Sequence, residues 1–574
     1  MIKQNNIKRQ NLIEFTFLIT IIVLFNIIST YIYFRWDLTT EKRFTLNSST
    51  KNILKNVDDI IYLKIYLDGE MPPGFKRLQN SLMEMLDEFR VYAKDNLQYE
   101  FINLDEVKNK KEKNNIYKQL YHKGLDPVNV YNKDDKGANI QQILFPGAIM
   151  SFKNKELPIN FLEQSLNKTP EENLNNSVQD LEYKLISTLH QLQTTHKKTI
   201  AFIEGHGEWK ADYVADLMIT LSQYYIIKRV TINKQLRALD SYDAIVIAHP
   251  DSIFNKYDLF IIDQYIMKGG KVLWVVDGTS ATMDSLSHKN TTIALDKVNT
   301  NNIGKLLFHY GVRVNANLVQ DLQCVMIPVN VGIAGAPPRF EPRPWVFSPL
   351  TVPSNIHPIS RNLNLIKGEF TSSIDTVGDN PEIKKTILIT TSKYSRLINA
   401  PCEVDLSIVD KKQDPNLFRL SYVPVAALIE GRFHSFFEFH LEPEFENNKL
   451  IQFKKISPPT KMIVVGDADM IRNQIRKVKS EIIPYPLGFD KYSGQTYGNK
   501  TFFLNAINFL LDDSGLMDAR SREIKLRMLD KAYIDKHYSL IKIVNLLLPL
   551  LLIFVFGIIY TLITRKKFKI KKQA

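Results

Sequence analysis

Glu204-Gly205-His206-Gly207-Glu208 is the stretch of this sequence best equipped for chemistry. An imidazole flanked by two carboxylates can hold a metal or act as a base. Two glycines let a ligand group approach the backbone. The stretch closes a nearly all-apolar run, Thr199 to Glu204 (TIAFIE), and precedes a helical pattern carried by Val214, Leu217, Met218 and Leu221. Open α/β sheets bind ligands at that carboxyl edge, beside helix N-termini. His249-Pro250-Asp251 and Asp277 follow two more apolar runs, 244–248 and 272–276, and fall on the same edge. The candidate ligand-binding residues are therefore Glu204, His206, Glu208, His249, Asp251 and Asp277. The competing reading is a tight strand-to-helix turn with exposed polar tips. Gly466-Asp467-Ala468-Asp469 follows another apolar run. Two carboxylates two residues apart suit a divalent cation, but a helix-capping turn accounts for them without further ligands, and no metal is assigned.

Other chemistries lack their residues. The rest of a dinucleotide fingerprint is absent, as is G-x-x-x-x-G-K-[ST], so ATP hydrolysis falls to a partner. There is no G-x-S-x-G elbow, and neither Cys324 nor Cys402 follows a central strand as a glutaminase-type nucleophile would. The chain is expected not to be an enzyme, with no catalytic residue and no cofactor. A metal held jointly by His206, Glu208, His249 and Asp277 would revive a hydrolase. Two cysteines make no disulfide framework; one disulfide and two free thiols both remain open.

The elements that position these residues alternate between apolar strands and helices. Strands at 199–204, 225–230, 244–248, 272–276, 385–390 and 462–465, with helices at 259–267 and 501–511, give an α/β region over 177–515. It reads as a doubly wound, glutaminase-like, mainly parallel sheet carrying a Pro-rich insertion over about 279–373. A smaller α/β domain over 37–168 precedes it, with strands at 60–67 and 98–104 around a helix begun by Phe75, Leu78 and Leu82. That order implies a right-handed crossover and a small parallel sheet. Further strands are read at 141–145 and 148–152, Ser48 or Ser49 is read as the cap of a short helix, and 169–176 as a linker.

Apolar segments bracket this region. Ile543 to Ile563 holds no charge, spans a bilayer core at about 1.5 Å per residue, and leads a basic tail over 564–574. A second uncharged run between Glu14 and Arg35, taken as a span over 12–34, follows Lys3, Lys8 and Arg9 and ends in Tyr31, Tyr33, Phe34 and Trp36. Its length and aromatic end read as an uncleaved anchor. Residues 1–11 and 564–574 are then cytoplasmic, 516–540 forms an amphipathic linker, 541–563 is the second span, and the bulk is periplasmic. Nine residues of these tails account for most of the formal net charge of +13, so the basic pI is a topology signal and not a nucleic-acid footprint.

Several blocks resemble the gliding-motility-associated proteins called GldG: DLTTEKRFTLNSSTKNIL after the first span, IAFIEGHGEW at 200–209, LLFHYGVRVNANLVQDLQC at 306–324, HPISRNLNLIKGEFTSSIDTV at 357–377, VVGDADMIRN at 464–473 and YGNKTFFLNAINFLLDD at 497–513. The resemblance covers nearly the whole chain. It implies an inner-membrane auxiliary protein of Bacteroidetes, often labelled substrate-binding, that works with an ABC ATPase and a multi-span permease. In gliding members that complex is tied to motility. The resemblance supplies neither a ligand nor catalytic residues. A periplasmic glycan- or peptide-binding module with membrane tethers is the rival reading.

Overall fold

The computed structural model describes residues 2–31, 45–133, 139–165, 168–194, 196–332, 337–439, 441, 445, 452–478, 481–521 and 531–570. The chain divides into two compact units, Met1–Arg522 and Glu523–Ala574.

Within the first unit, a four-stranded sheet runs in the order Leu97–Phe101, Ile61–Ile65, Gly147–Phe152, Lys155–Asn160. The first pair is parallel, joined through the helix Pro73–Ala93, as the sequence implies. The other two strands pair antiparallel, so the sheet is mixed. A two-residue turn makes this possible: Lys153 takes the left-handed conformation that two-residue hairpins require. Leu78, Leu82, Leu86 and Phe89 of the helix share a core with Leu181, Leu185, Leu189 and Leu192 of the helix Leu181–Gln193.

Two local readings are corrected. Residues 169–176 are not a linker but enter a helix, Pro170–Gln179. Thr169 and Glu172 cap it reciprocally, and Pro170 sits at the first helical position. The helix Ser48–Lys55 is capped by Asn47, whose side chain accepts from Ser49 N, not by either serine. Residues 37–44 of the segment preceding it, and 522–530 of the linker, lie outside the described residues.

Five strands of the main sheet lie parallel in the order Ile226–Thr231, Thr199–Glu204, Ala244–Ala248, Lys271–Val275, Thr460–Val465. Counted along the chain that order is 2-1-3-4-5. It reverses direction between Thr199–Glu204 and Ala244–Ala248, which places a crevice at their carboxyl ends. Beyond Thr460–Val465 the sheet continues antiparallel through Pro424–Gly431, Ile383–Thr390, Phe340–Pro353 and Cys324–Asn330. The sheet is thus mixed, parallel in one half only.

Both faces of the parallel half are buried except at its edge strand Ile226–Thr231, which explains the apolar runs of the other four strands. Ile245, Ile247, Val272 and Trp274 face the helix Lys256–Met267. Val246, Ala248, Leu273 and Val275 face the helices Ala211–Ser222 and Asn499–Leu511. The Pro-rich insertion is longer than the sequence implied: the whole chain from 276 to 459 intervenes between the last two parallel strands, and it builds the antiparallel half. Phe340–Pro353 carries prolines at 342, 344, 349 and 353 yet is a 14-residue strand. Over Phe340–Pro349 its ladder runs to Cys324–Asn330, and its pairing to Ile383–Thr390 is confined to Val352 and Pro353, so most of its prolines sit where a second ladder is not required. Cys324 and Cys402 are both free and pack against one cluster of the insertion.

One helix of the described residues, Tyr538–Ile570, contains a stretch long and apolar enough to cross a membrane, Tyr538–Ile563, with none of that stretch buried. Pro549 lies inside it. The helix Ile2–Tyr31 has 30 residues, but its described apolar stretch is the shorter Phe15–Ile27. Thr16, Thr20 and Asn26 bond to carbonyls one turn back, Leu12, Thr16 and Ile22, so these polar groups are satisfied within the helix. The linker shows a turn of 3-10 helix over Leu516–Ser521 and a short α-helix over Lys531–Lys536.

Candidate functional site

The loop after Thr199–Glu204 is folded inward. His206 is buried, and the Glu208 side chain is almost wholly buried, so these are not exposed polar tips. His206 Nδ1 lies 3.2 Å from Glu208 Oε1 and its Nε2 3.0 Å from Asp258 Oδ2. The ring stacks on Phe254 at 3.7 Å between centroids. With a carboxylate at each nitrogen, the surroundings favour the imidazolium form, in which both nitrogens donate. Burial works against that charge, but Glu208 and Asp258 outweigh it and hold the His206 pKa above its ordinary value. Asp258 is fixed in turn by Asn255 Nδ2 at 2.7 Å and Lys234 N at 3.0 Å, at the start of the helix Lys256–Met267. The His206 carbonyl accepts from Asp251 N and Ser252 N, tying this loop to the next. Gly207 has φ +84°, and a Cβ there would meet Asp251 Cβ at 2.7 Å. This glycine serves contact between two loops, where the sequence pattern had pointed to ligand approach.

A second cluster forms around Asp277. Its Oδ2 receives His249 Nδ1 at 2.7 Å and Lys297 Nζ at 3.3 Å, and its Oδ1 receives Ala468 N at 2.7 Å. Burial raises a carboxyl pKa, yet these partners win and set Asp277 at about 2. Lys297 is buried and also pairs with Asp251 at 2.9 Å. Burial would discharge it, and Asp277 and Asp251 together keep its pKa raised. His249 has φ +62°, a left-handed backbone for a non-glycine residue. Glu204 stands apart, paired with Arg229 on the neighbouring strand. The six sequence candidates thus fall into two closed clusters and one separate pair. Among the described residues no group of three or more His, Cys, Asp or Glu side chains is arranged to hold a metal. Asp467 caps the turn Ala468–Ile471, accepting from Asp469 N and Met470 N, as the sequence reading of that turn held.

Trp209 joins the second cluster to a cavity. Its ring stacks on His249 at 3.8 Å, its Nε1 donates to Ala468 O at 2.8 Å, and the Arg472 guanidinium lies 4.5 Å from its centroid. Trp209→Phe keeps the stack but loses that hydrogen bond. It is expected to cost about 1 kcal/mol and to lower the melting midpoint slightly.

Arg472 lines a cavity of about 320 Å³ between the parallel half and the insertion, together with Asp469, Lys367, Glu369, Asp490 and Trp345. Burial, Glu369 and Asp277 push the Asp469 pKa up to about 7. Sequence reading missed Glu369, Lys367, Arg472 and Trp345. Lys367, Glu369 and Arg472 lie within the family-like blocks 357–377 and 464–473, but no chemical motif marks them, and only the signal at Asp467 and Asp469 pointed to this corner.

Comparison with known proteins adds four findings. Residues 40–151 match a domain of unknown function designated DUF7088. An uncharacterized protein of Borreliella burgdorferi (strain ATCC 35210 / DSM 4680 / CIP 102532 / B31) is 22% identical over 581 residues, covering 98% of this chain and 99% of that protein. Among solved structures, the mmIFT52 N-terminal domain aligns with a TM-score of 0.30 at 16% identity, over 55% of this chain and 97% of that one. None of these names gliding motility. Residues 197–506, more than half of the chain and the whole parallel half with its insertion, match the family described as an ABC-type uncharacterized transport system, and the chain belongs to that family of ABC transporter auxiliary proteins.

Proposed function

We propose that this protein is a non-catalytic, membrane-anchored subunit of an ABC transport complex, with its α/β unit outside the cytoplasmic membrane binding a substrate or an envelope partner. Two spans, 12–34 and 541–563, would hold both termini in the cytoplasm beside a multi-span permease, and an ABC ATPase would supply the hydrolysis. The observation that carries the non-catalytic reading is the closure of the carboxyl edge. His206, Glu208, Asp277 and the Nδ1 of His249 direct their polar atoms at one another and at Asp258, Lys297 and Ala468, so these atoms are not held ready for a substrate. We read the parallel half as a doubly wound core whose crevice has become structural, with the neighbouring cavity in its place as the ligand site. Similarity to GldG extends the reading to a complex tied to surface motility.

The test is purification of the tagged chain from membranes in mild detergent, with co-purifying proteins identified by mass spectrometry. An ABC ATPase and a permease are expected in comparable amounts. Recovery alone, or with outer-envelope proteins only, would sink the subunit reading and promote a tethered glycan- or peptide-binding module.

A further inference from the structure

A second cavity, of about 730 Å³, opens at the opposite edge of the parallel half, beside the start of Thr199–Glu204 and Ile226–Thr231. Its wall combines the strand Lys155–Asn160, the helix Leu181–Gln193 and the end of the helix Asn499–Leu511. Leu157, Leu192, Leu511 and Met517 make that wall largely carbon, together with the rings of Tyr183 and Tyr225. The Tyr225 hydroxyl donates to Asn508 Oδ1 at 2.9 Å. The charges of the wall are engaged as well. Lys155 donates to Thr194 O at 3.1 Å, Lys197 to Gln223 O at 2.9 Å, and Lys198 to Leu511 O at 2.8 Å and to Asp513. Glu156 pairs with Lys123 at 3.0 Å, and Asp512 accepts from Met517 N at 2.8 Å. The polar groups left over are neutral. Among the described residues the Tyr224 hydroxyl and the His190 ring have no hydrogen-bond partner, and both stay accessible. Burial holds the His190 pKa below its ordinary value, so this ring is uncharged at neutral pH.

The same wall is where the chain is tied to its membrane segments. Ser514 O accepts from Ser49 Oγ at 2.9 Å, at the start of the helix Ser48–Lys55. Residues 35–44 separate Thr45 from the span at 12–34, and even fully extended they reach only about 35 Å. Leu516 and Met517 open the turn Leu516–Ser521, from which the chain continues to the second span. We propose that this cavity takes an acyl chain of a bilayer phospholipid, with the ester carbonyl accepting from the Tyr224 hydroxyl. The inference goes beyond the transport-subunit reading and rests only on its membrane anchorage. The volume lies in the range of pockets that enclose a mostly apolar ligand. Left to water, a carbon wall of this kind forfeits burial that an acyl chain restores. A neutral O–H suits an ester carbonyl. A headgroup phosphate or a fatty-acid carboxylate fits poorly inside, because each lysine of the wall already has a partner.

The test reconstitutes the full-length protein in nanodiscs of palmitoyl-oleoyl phosphatidylcholine doped with a phosphatidylcholine whose acyl chain carries a diazirine. After irradiation, cross-linked peptides are mapped by mass spectrometry. Adducts are expected on the wall, at 155–157, 183–194 and 223–225, besides those on the spans. Leu157→Trp fills the cavity from a half-buried position. With the probe below saturation it should lower wall adducts about tenfold and leave span adducts unchanged. Tyr224→Phe should lower wall adducts about fivefold and melt with the wild type, so it carries the test should Leu157→Trp misfold. Adducts on the spans alone, or wall adducts that neither variant changes, would overturn the proposal. Palmitic acid bearing a diazirine is expected to label the wall weakly. Labelling equal to that by the phosphatidylcholine would overturn the ester assignment and leave an acyl-chain cavity. None of these results would touch the co-purification test of the transporter subunit.

Discussion

Replacing Asp277 by Ala should destabilise the large α/β region by about 3–5 kcal/mol, the usual cost of leaving a buried ion unpaired. The carboxylate holds three donors from three parts of the chain: His249, Lys297 and the backbone of Ala468. Its loss leaves the buried Lys297 ammonium with Asp251, whose carboxylate is largely exposed, and with the His249 ring nitrogen at 3.4 Å. It also strands the His249 Nδ1 proton and the Ala468 N–H. Set against a domain stability of about 5–15 kcal/mol, that is a large fraction, and a marked fall in the melting midpoint is expected. Asp277→Asn preserves shape and separates charge from packing. A carboxyl at about 2 in the fold and near 3.8 when unfolded stabilises fully above 3.8, and that contribution is lost as pH falls through 2. The shift corresponds to about 2 kcal/mol. Wild type should therefore lose stability relative to Asp277→Asn as pH drops below 4. Melting curves of Asp277→Ala that overlay wild type would show that the cluster contributes nothing.

The parts legible in the sequence are those whose signal is local. Strands such as TIAFIE and KVLWV are buried on both faces, and their unbroken apolar runs mark them without reference to neighbours. Placing His206, His249, Asp251 and Asp277 at one sheet edge followed from the ends of those runs. The clusters themselves could not be read, because their closing partners are remote. Asp258 meets His206 across 52 residues from inside a helix whose residues 258–267 are all buried, so that helix offers no polar face to stand out from. Ala468 meets Asp277 across 191 residues. The antiparallel half was hidden for another reason. Proline spacing in 340–353 reads as loop, and the pairing of Pro424–Gly431 between two other strands is a property of the assembled sheet. Thr169 and Glu172 show the converse: the capping signature was present locally, but the polar composition around it looked like a linker.

The closed clusters also show why a Gly-His-Gly turn at a sheet edge is weak evidence for catalysis. An open active site leaves at least one titratable group underdetermined, ready to exchange a proton or meet a substrate. Here Gly207 brings two loops into backbone contact, and the approach excludes the space a ligand would need. On the other side of Trp209, Glu369 and Trp345 line a cavity. The crevice and the cavity are linked: the Asp277 cluster anchors Ala468, and the turn begun at Ala468 carries Asp469 and leads to Arg472.

His206→Ala should have the second large effect, about 3 kcal/mol, and an opposite pH signature. The substitution removes the cation between Glu208 and Asp258 and opens a void against Phe254. Asp258 keeps Asn255 and Lys234 N, and Glu208 keeps the backbone N–H of residue 206, so the carboxylates are weakened and not wholly stranded. A histidine whose pKa is raised on folding stabilises fully below its unfolded value, and that contribution disappears as pH rises through the folded value. The gap in melting midpoint between wild type and His206→Ala should therefore be widest on the acid side of 6.5 and narrow as pH rises. The Asp277→Asn gap is essentially constant over that range and closes only in strong acid. If the His206→Ala gap were flat from pH 5 to 9, the ring would bind its proton no more tightly in the fold than in the unfolded chain, and the two carboxylates would not be holding it.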